Sequence, residues 1–147
     1  MAGDGDDARP PLSTAFLLMT LGGRIREEIE ERLRAERMSL RHLSALGHLA
    51  RHPGLSYSEL ARRAGITPQS MQATLNALEE RGAVERVTVP GRGRSAQLHV
   101  TAEGLRLRRV GTDVVAGIDD RLRVQLGDPT RDALTDALSG LLSGADD

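Results

Sequence analysis

A chain of 147 residues, 39% apolar and 28% charged, can bury one sizeable core and has the balance of a globular protein rather than a disordered one. It has no Cys, which excludes disulfides, thiolate metal sites and thiol redox chemistry, and its only aromatics are Phe16 and Tyr57, so the core must be aliphatic. The net charge of -1 hides an uneven distribution: residues 38–101 carry 8 Arg against 4 acids, whereas the two flanks together carry 12 against 17.

Residues 1–11, "MAGDGDDARPP", read as an acidic polar tail without the apolar run of a signal peptide. No stretch reaches the roughly 18 apolar residues of a membrane helix. The expectation is a cytoplasmic protein with no membrane partner. From Leu12 to about Arg37, Leu18, Leu21, Ile25, Ile29 and Leu33 recur at helical spacing, and "REEIEERLRAER" surrounds that stripe with charge. Ser39 is the expected N-cap of a second helix, "LRHLSALGHLARH", which Pro53-Gly54 stops.

A third helix follows in "SYSELARRAG", capped by Ser56 or Ser58, with Leu60, Ala61 and Ala64 inward and Gly65 at the left-handed position that ends a helix. "ITPQSMQATLNALEERG" opens on Thr67 as N-cap with Pro68 in the first helical position. Met71, Leu75 and Leu78 form its inner face. "AVERVTV" and "SAQLHVT" then alternate on either side of "PGRG", the pattern of a hairpin. Thr101 caps a long helix with Leu105, Val110, Val114, Ile118 and Leu122 recurring, and Gly127-Asp128-Pro129 breaks it. A last helix, Thr130 to about Leu142, carries Leu134, Leu138 and Leu141, and residues 143–147 form a short tail.

The fold class expected from this order is mainly α with a small β-hairpin wing. Residues 38–100 form a winged helix-turn-helix domain, and 12–37 and 101–142 are helices too apolar to face solvent alone. A helix-turn-helix lays its second helix in the DNA major groove. The hairpin places Arg86, Arg92 and Arg94 together with no acid among them. Like charges on a Gly-rich tip repel, so they expect an anionic partner, here phosphates or the narrow minor groove of duplex DNA.

"SELARRAGITPQSMQATLNALEERGAVER" resembles the helix-turn-helix of the MarR family of bacterial transcriptional regulators, and "GRSAQLHVTAEG" resembles its wing and return strand. The resemblance covers nearly the whole chain. It implies a homodimer built by the terminal helices and bound to a pseudo-palindromic operator in double-stranded DNA. It also implies repression relieved by a small organic effector held between the dimer helices and the winged domain, for which Phe16, Met19, His42 and Leu46 are candidates. Two departures stand out. Arg92 occupies the place of the Asp that commonly steadies the wing Arg, here Arg94. Ala73 and Ala77 stand where the family's recognition helix usually carries Arg. The reading face is then Gln69, Ser70, Gln72, Thr74 and Asn76, beside Thr67 and Ala73, and lacks an Arg–guanine contact.

His48 and His52 are four apart on one helix face, with His42 earlier, and could meet a metal. No carboxylate lies between Ser39 and Leu55 to complete the set, and polar histidines near an interface are the more ordinary reading. The sequence has no Ser–His–Asp spacing, phosphate-cradling Gly loop or paired carboxylates in a predicted cleft. Neither an enzyme nor a resident cofactor is expected.

Overall fold

Side-chain caps decide where the first five helices begin, whereas the last starts on Gly127 and Pro129 without one. In the computed structural model, which describes residues 12–88, 91 and 96–144, α1 spans Thr14–Arg34, α2 Leu40–Arg51, α3 Tyr57–Ala64 and α4 Pro68–Glu80. Two strands, β1 Val84–Val87 and β2 Gln97–Val100, lead into α5 Ala102–Leu126 and α6 Asp128–Ser143. The hydroxyls of Ser13, Ser39, Ser56, Thr67 and Thr101 accept the backbone N–H three residues on, satisfying donors that a helix start otherwise leaves open. Of the two serines expected at the start of α3, Ser56 is the cap. Glu59 completes a capping box there, accepting from Ser56 N at 2.8 Å. That backbone N–H, and next the Ser56 hydroxyl, hold the Glu59 carboxyl below the usual range. Gly65 closes α3 at φ 65° and ψ 31°, the left-handed geometry that a side chain disfavours.

The two strands pair antiparallel, Val84 against Val100 and Val87 against Gln97. β2 gains a further backbone partner from the α2–α3 connection: Leu98 N donates to Leu55 O at 3.0 Å, and Gly54 N to Leu98 O at 3.1 Å. The hairpin is thereby tied to the helices it follows. Thr101 adds a second tie, donating its N–H to Ala83 O and its hydroxyl to Gly82 O.

One aliphatic core joins these pieces. Leu33 of α1, Leu46 and Leu49 of α2, Leu60 of α3, and Met71, Leu75 and Leu78 of α4 meet Leu98 of β2 and Leu107 of α5, all below 2% exposure. The inner face of α5 keeps Ile118 of the expected stripe, with Val114 and Leu122 packed on the core, but its first turns bury Gly104, Leu107 and Gly111 in place of Leu105, which is 46% exposed. The reason lies in close approach. A Cβ at Gly104 would stand 2.1 Å from Ala83 O, so the helix enters on its glycine side and carries Leu107 inward.

Only the C-terminal half of the α1 stripe is buried, at Ile29 and Leu33; Leu18 and Leu21 are exposed. α6 has no buried residue at all, although Leu134, Leu138 and Leu141 recur along it. Arg121 of α5 fastens the lower part of α1, donating from both terminal nitrogens to the Glu28 carboxylate at 2.7 Å each. That contact holds the Glu28 carboxyl below the ordinary carboxylate range. No helix among the described residues is long and apolar enough to cross a membrane.

Candidate nucleic-acid interface and adjoining cavity

α3 and α4 pack against each other through Leu60, Ala61, Met71 and Leu75, leaving one face of α4 outward. Gln69, Ala73 and Asn76 are exposed, and Ser70 and Gln72 are half-buried. Thr67, the cap, holds the start of this face: its Oγ1 accepts from Ser70 N at 3.1 Å and donates to Ser70 Oγ at 3.0 Å. One turn further, Gln72 Nε2 donates to Asn76 Oδ1 at 2.8 Å. Thr74 does not belong to the face. It is 5% exposed and its hydroxyl donates to Ser70 O at 3.0 Å. Successive residues turn by about 100° on a helix, which sets Thr74 beside Met71, Leu75 and Leu78. The outward face therefore carries amides, a hydroxyl and a methyl, with no acid before Glu79.

The hairpin leaves α4 at Gly82 and stands beside it. Arg86 on β1 is engaged by an ion pair with Glu79 of α4. That pair ties the base of the hairpin to α4. Arg92 and Arg94, the two other arginines expected to meet DNA, lie outside the described residues. Arg62 and Arg63 are exposed on α3, and His99 on β2 is half-buried with its ring 3.4 Å from Gln97 Oε1.

Behind this surface, a cavity of about 450 Å³ lies between α2 and α5. Leu40, Leu43, Gly47, Gly111 and Val115 give it apolar walls, and Arg51, Arg108 and Asp119 also line it. Arg51 folds back along its own helix, its Nη1 3.5 Å from where a Cβ on Gly47 would sit. Neither Arg51 nor Arg108 forms an ion pair among the described residues.

The four residues expected to line an effector pocket fall elsewhere in this subunit. Leu46 is fully buried in the core, and Phe16 and Met19 are 56% and 67% exposed on the free end of α1. His42 is the third helical residue of α2 and completes the capping box there: its Nδ1 accepts from Ser39 N at 3.1 Å. Burial first, and then the Arg81 charge, push its pKa below the ordinary histidine value, while Glu30 pulls the other way. Sequence reading missed this role because Glu or Gln usually fills that position. A neutral ring nitrogen accepts equally well.

His48 is half-buried, its pKa lowered by burial and then by Arg51 and Arg63, and His52 is exposed at the end of α2. Among the described residues, no group of three or more His, Cys, Asp or Glu is placed to hold a metal ion.

Comparison with known proteins adds four findings. A family model described as MarR family matches residues 38–95. The HTH-type transcriptional repressor Rv2887 of Mycobacterium tuberculosis is 38% identical over 127 residues, covering 86% of this chain and 88% of the relative. Its solved complex with DNA superposes with a TM-score of 0.75 at 32% identity, over 88% of this chain and 98% of that one. Its complex with salicylic acid gives 0.71 at 33% identity, over 90% and 98%.

Proposed function

The chain belongs to the MarR family, and on that premise we propose that it is a homodimeric, sequence-specific transcriptional repressor that a small organic ligand releases from a pseudo-palindromic operator. The observation that carries this reading is the outward face of α4. It is polar, free of acid until its last turn, capped by Thr67, and pinned beside a hairpin whose loop holds Arg92 and Arg94. Such a helix fits a major groove while the arginines of the wing neutralise phosphate. In this reading residues 38–100 bind DNA and 12–37 with 101–142 form the dimer. The repressor works in the cytoplasm, where the DNA is, and performs no catalytic step.

The dimer is supported by what the subunit leaves bare. Phe16, Met19, Leu141 and Leu142 are each more than half exposed on helices that do not bury them within the chain. A helix of α6's length is marginal in water unless its apolar face is covered. A second copy covers it and sets two α4 helices about one turn of DNA, or roughly 10 bp, apart.

Effector binding is supported by the relative solved with salicylic acid and by the cavity between α2 and α5. Apolar walls with two arginines, neither in an ion pair among the described residues, against the single carboxylate of Asp119 suit an organic anion. α2 forms one wall and also packs on α3, α4 and β2, so a ligand that favours one placement of α2 changes the spacing of the two α4 helices. It releases DNA only by its differential affinity for the two arrangements.

The test is duplex binding by the full chain across a salt series, with and without salicylate. A steep loss of affinity with salt is expected, and Arg94→Ala lowers the logarithmic slope by about 1. Salt-independent binding, or an Arg94→Ala variant indistinguishable from wild type, excludes the proposal.

A further inference from the structure

We infer that Gln72 and Asn76 act as a single amide pair that reads an A·T base pair in each half-site, an inference that rests on α4 being the groove helix. The two residues are one helical turn apart on the outward face, and the bond between Gln72 Nε2 and Asn76 Oδ1 joins them before any partner arrives. That bond uses one hydrogen of the Gln72 amide. For the pair to read a base, Asn76 takes the hydrogen anti to Oε1, leaving the syn hydrogen beside Oε1 as a donor and an acceptor on one edge. Adenine presents the complement in the major groove, an acceptor at N7 and a donor at N6. Guanine presents two acceptors, N7 and O6, and would set a lone pair of O6 against Gln72 Oε1.

The rest of the face agrees. It holds no Lys or Arg, the side chains that donate twice to guanine. Ala73 is exposed beside Gln72, and its methyl suits the thymine methyl of an A·T pair. Asn76 is the positioning residue. With Oδ1 engaged, it orients the Gln72 amide and keeps its own Nδ2 hydrogens outward.

The experiment selects a bound sequence from a randomised duplex library with the full-length protein, then replaces each base pair of a half-site in turn. One A·T position is expected where conversion to G·C weakens binding about tenfold, within the range of a bidentate base contact. 7-Deazaadenine, which pairs normally but lacks the N7 acceptor, weakens binding at that same position. Gln72→Ala abolishes both effects there, and Asn76→Ala reduces them at that same position. The inference is overturned by a G·C requirement under α4, or by Gln72→Ala and Asn76→Ala altering different positions independently. It also falls if neither variant changes base preference while the salt-dependent binding of duplex persists, an outcome that leaves the repressor reading intact. Absence of duplex binding by the wild-type chain removes both.

Discussion

The winged region and the terminal helices use the same aliphatic residues to opposite ends. Leu75 in α4 is fully buried, whereas Leu141 in α6 is 68% exposed, although both recur in apolar stripes of similar spacing. From α2 to the start of α5 the chain supplies both sides of its own core. α6 and the first half of α1 supply one side only. Hydrophobic periodicity reports that a face will be covered; it does not report by whom.

The sharpest probe of that difference is one substitution made in both places. Leu75→Ala deletes atoms from a closed core and is expected to destabilise by about 2–5 kcal/mol at any protein concentration. Urea unfolding at two concentrations measures it, and a loss below 1 kcal/mol would mean that the site collapses around the gap. Leu141→Ala should remove less, up to about 1.5–3 kcal/mol per chain, the range for burying a leucine. Its loss should appear as a dimer that dissociates at higher concentration. Sedimentation equilibrium decides this, and an unchanged association constant would place Leu141 outside the interface.

The smallest expected effect concerns the joint between the two regions, where His42 closes the α2 capping box near Arg81 and Glu30. With its pKa in the folded chain below the ordinary value, His42 is neutral when folded and takes up a proton more readily when unfolded. Its contribution to stability is therefore complete above about pH 6.5 and is lost as pH falls through the folded pKa. His42→Gln keeps an acceptor at that position without titrating. Its unfolding midpoint should fall less steeply than wild type between pH 7 and 5, and parallel profiles would show that the ring does not carry the dependence.

Much of this was legible because it is local. Ser39, Thr67 and Thr101 cap the helices they precede, Gly65 takes the left-handed turn, and the alternation around "PGRG" is a hairpin. Each rests on groups within a few residues of one another, so the order along the chain contains the answer. The outward face of α4 was legible too, save for Thr74, which is polar but turned inward and satisfied by Ser70 O. Polarity alone could not distinguish a hydroxyl that faces solvent from one that bonds its own helix.

What the residue order settled, then, is the succession of helices and strands, the caps that start α2, α4 and α5, and the net positive charge of residues 38–101, which comes from a scarcity of acids. The folded packing decided that the first turns of α5 bury Gly104, Leu107 and Gly111 while Leu105 stays out, that Arg86 pairs with Glu79, and that a cavity opens between α2 and α5. These depend on surfaces far apart in sequence, and on glycines whose value is the absence of a side chain. An apolar count passes over Gly104, yet the approach of the Ala83 carbonyl to it fixes how the longest helix meets the rest of the subunit.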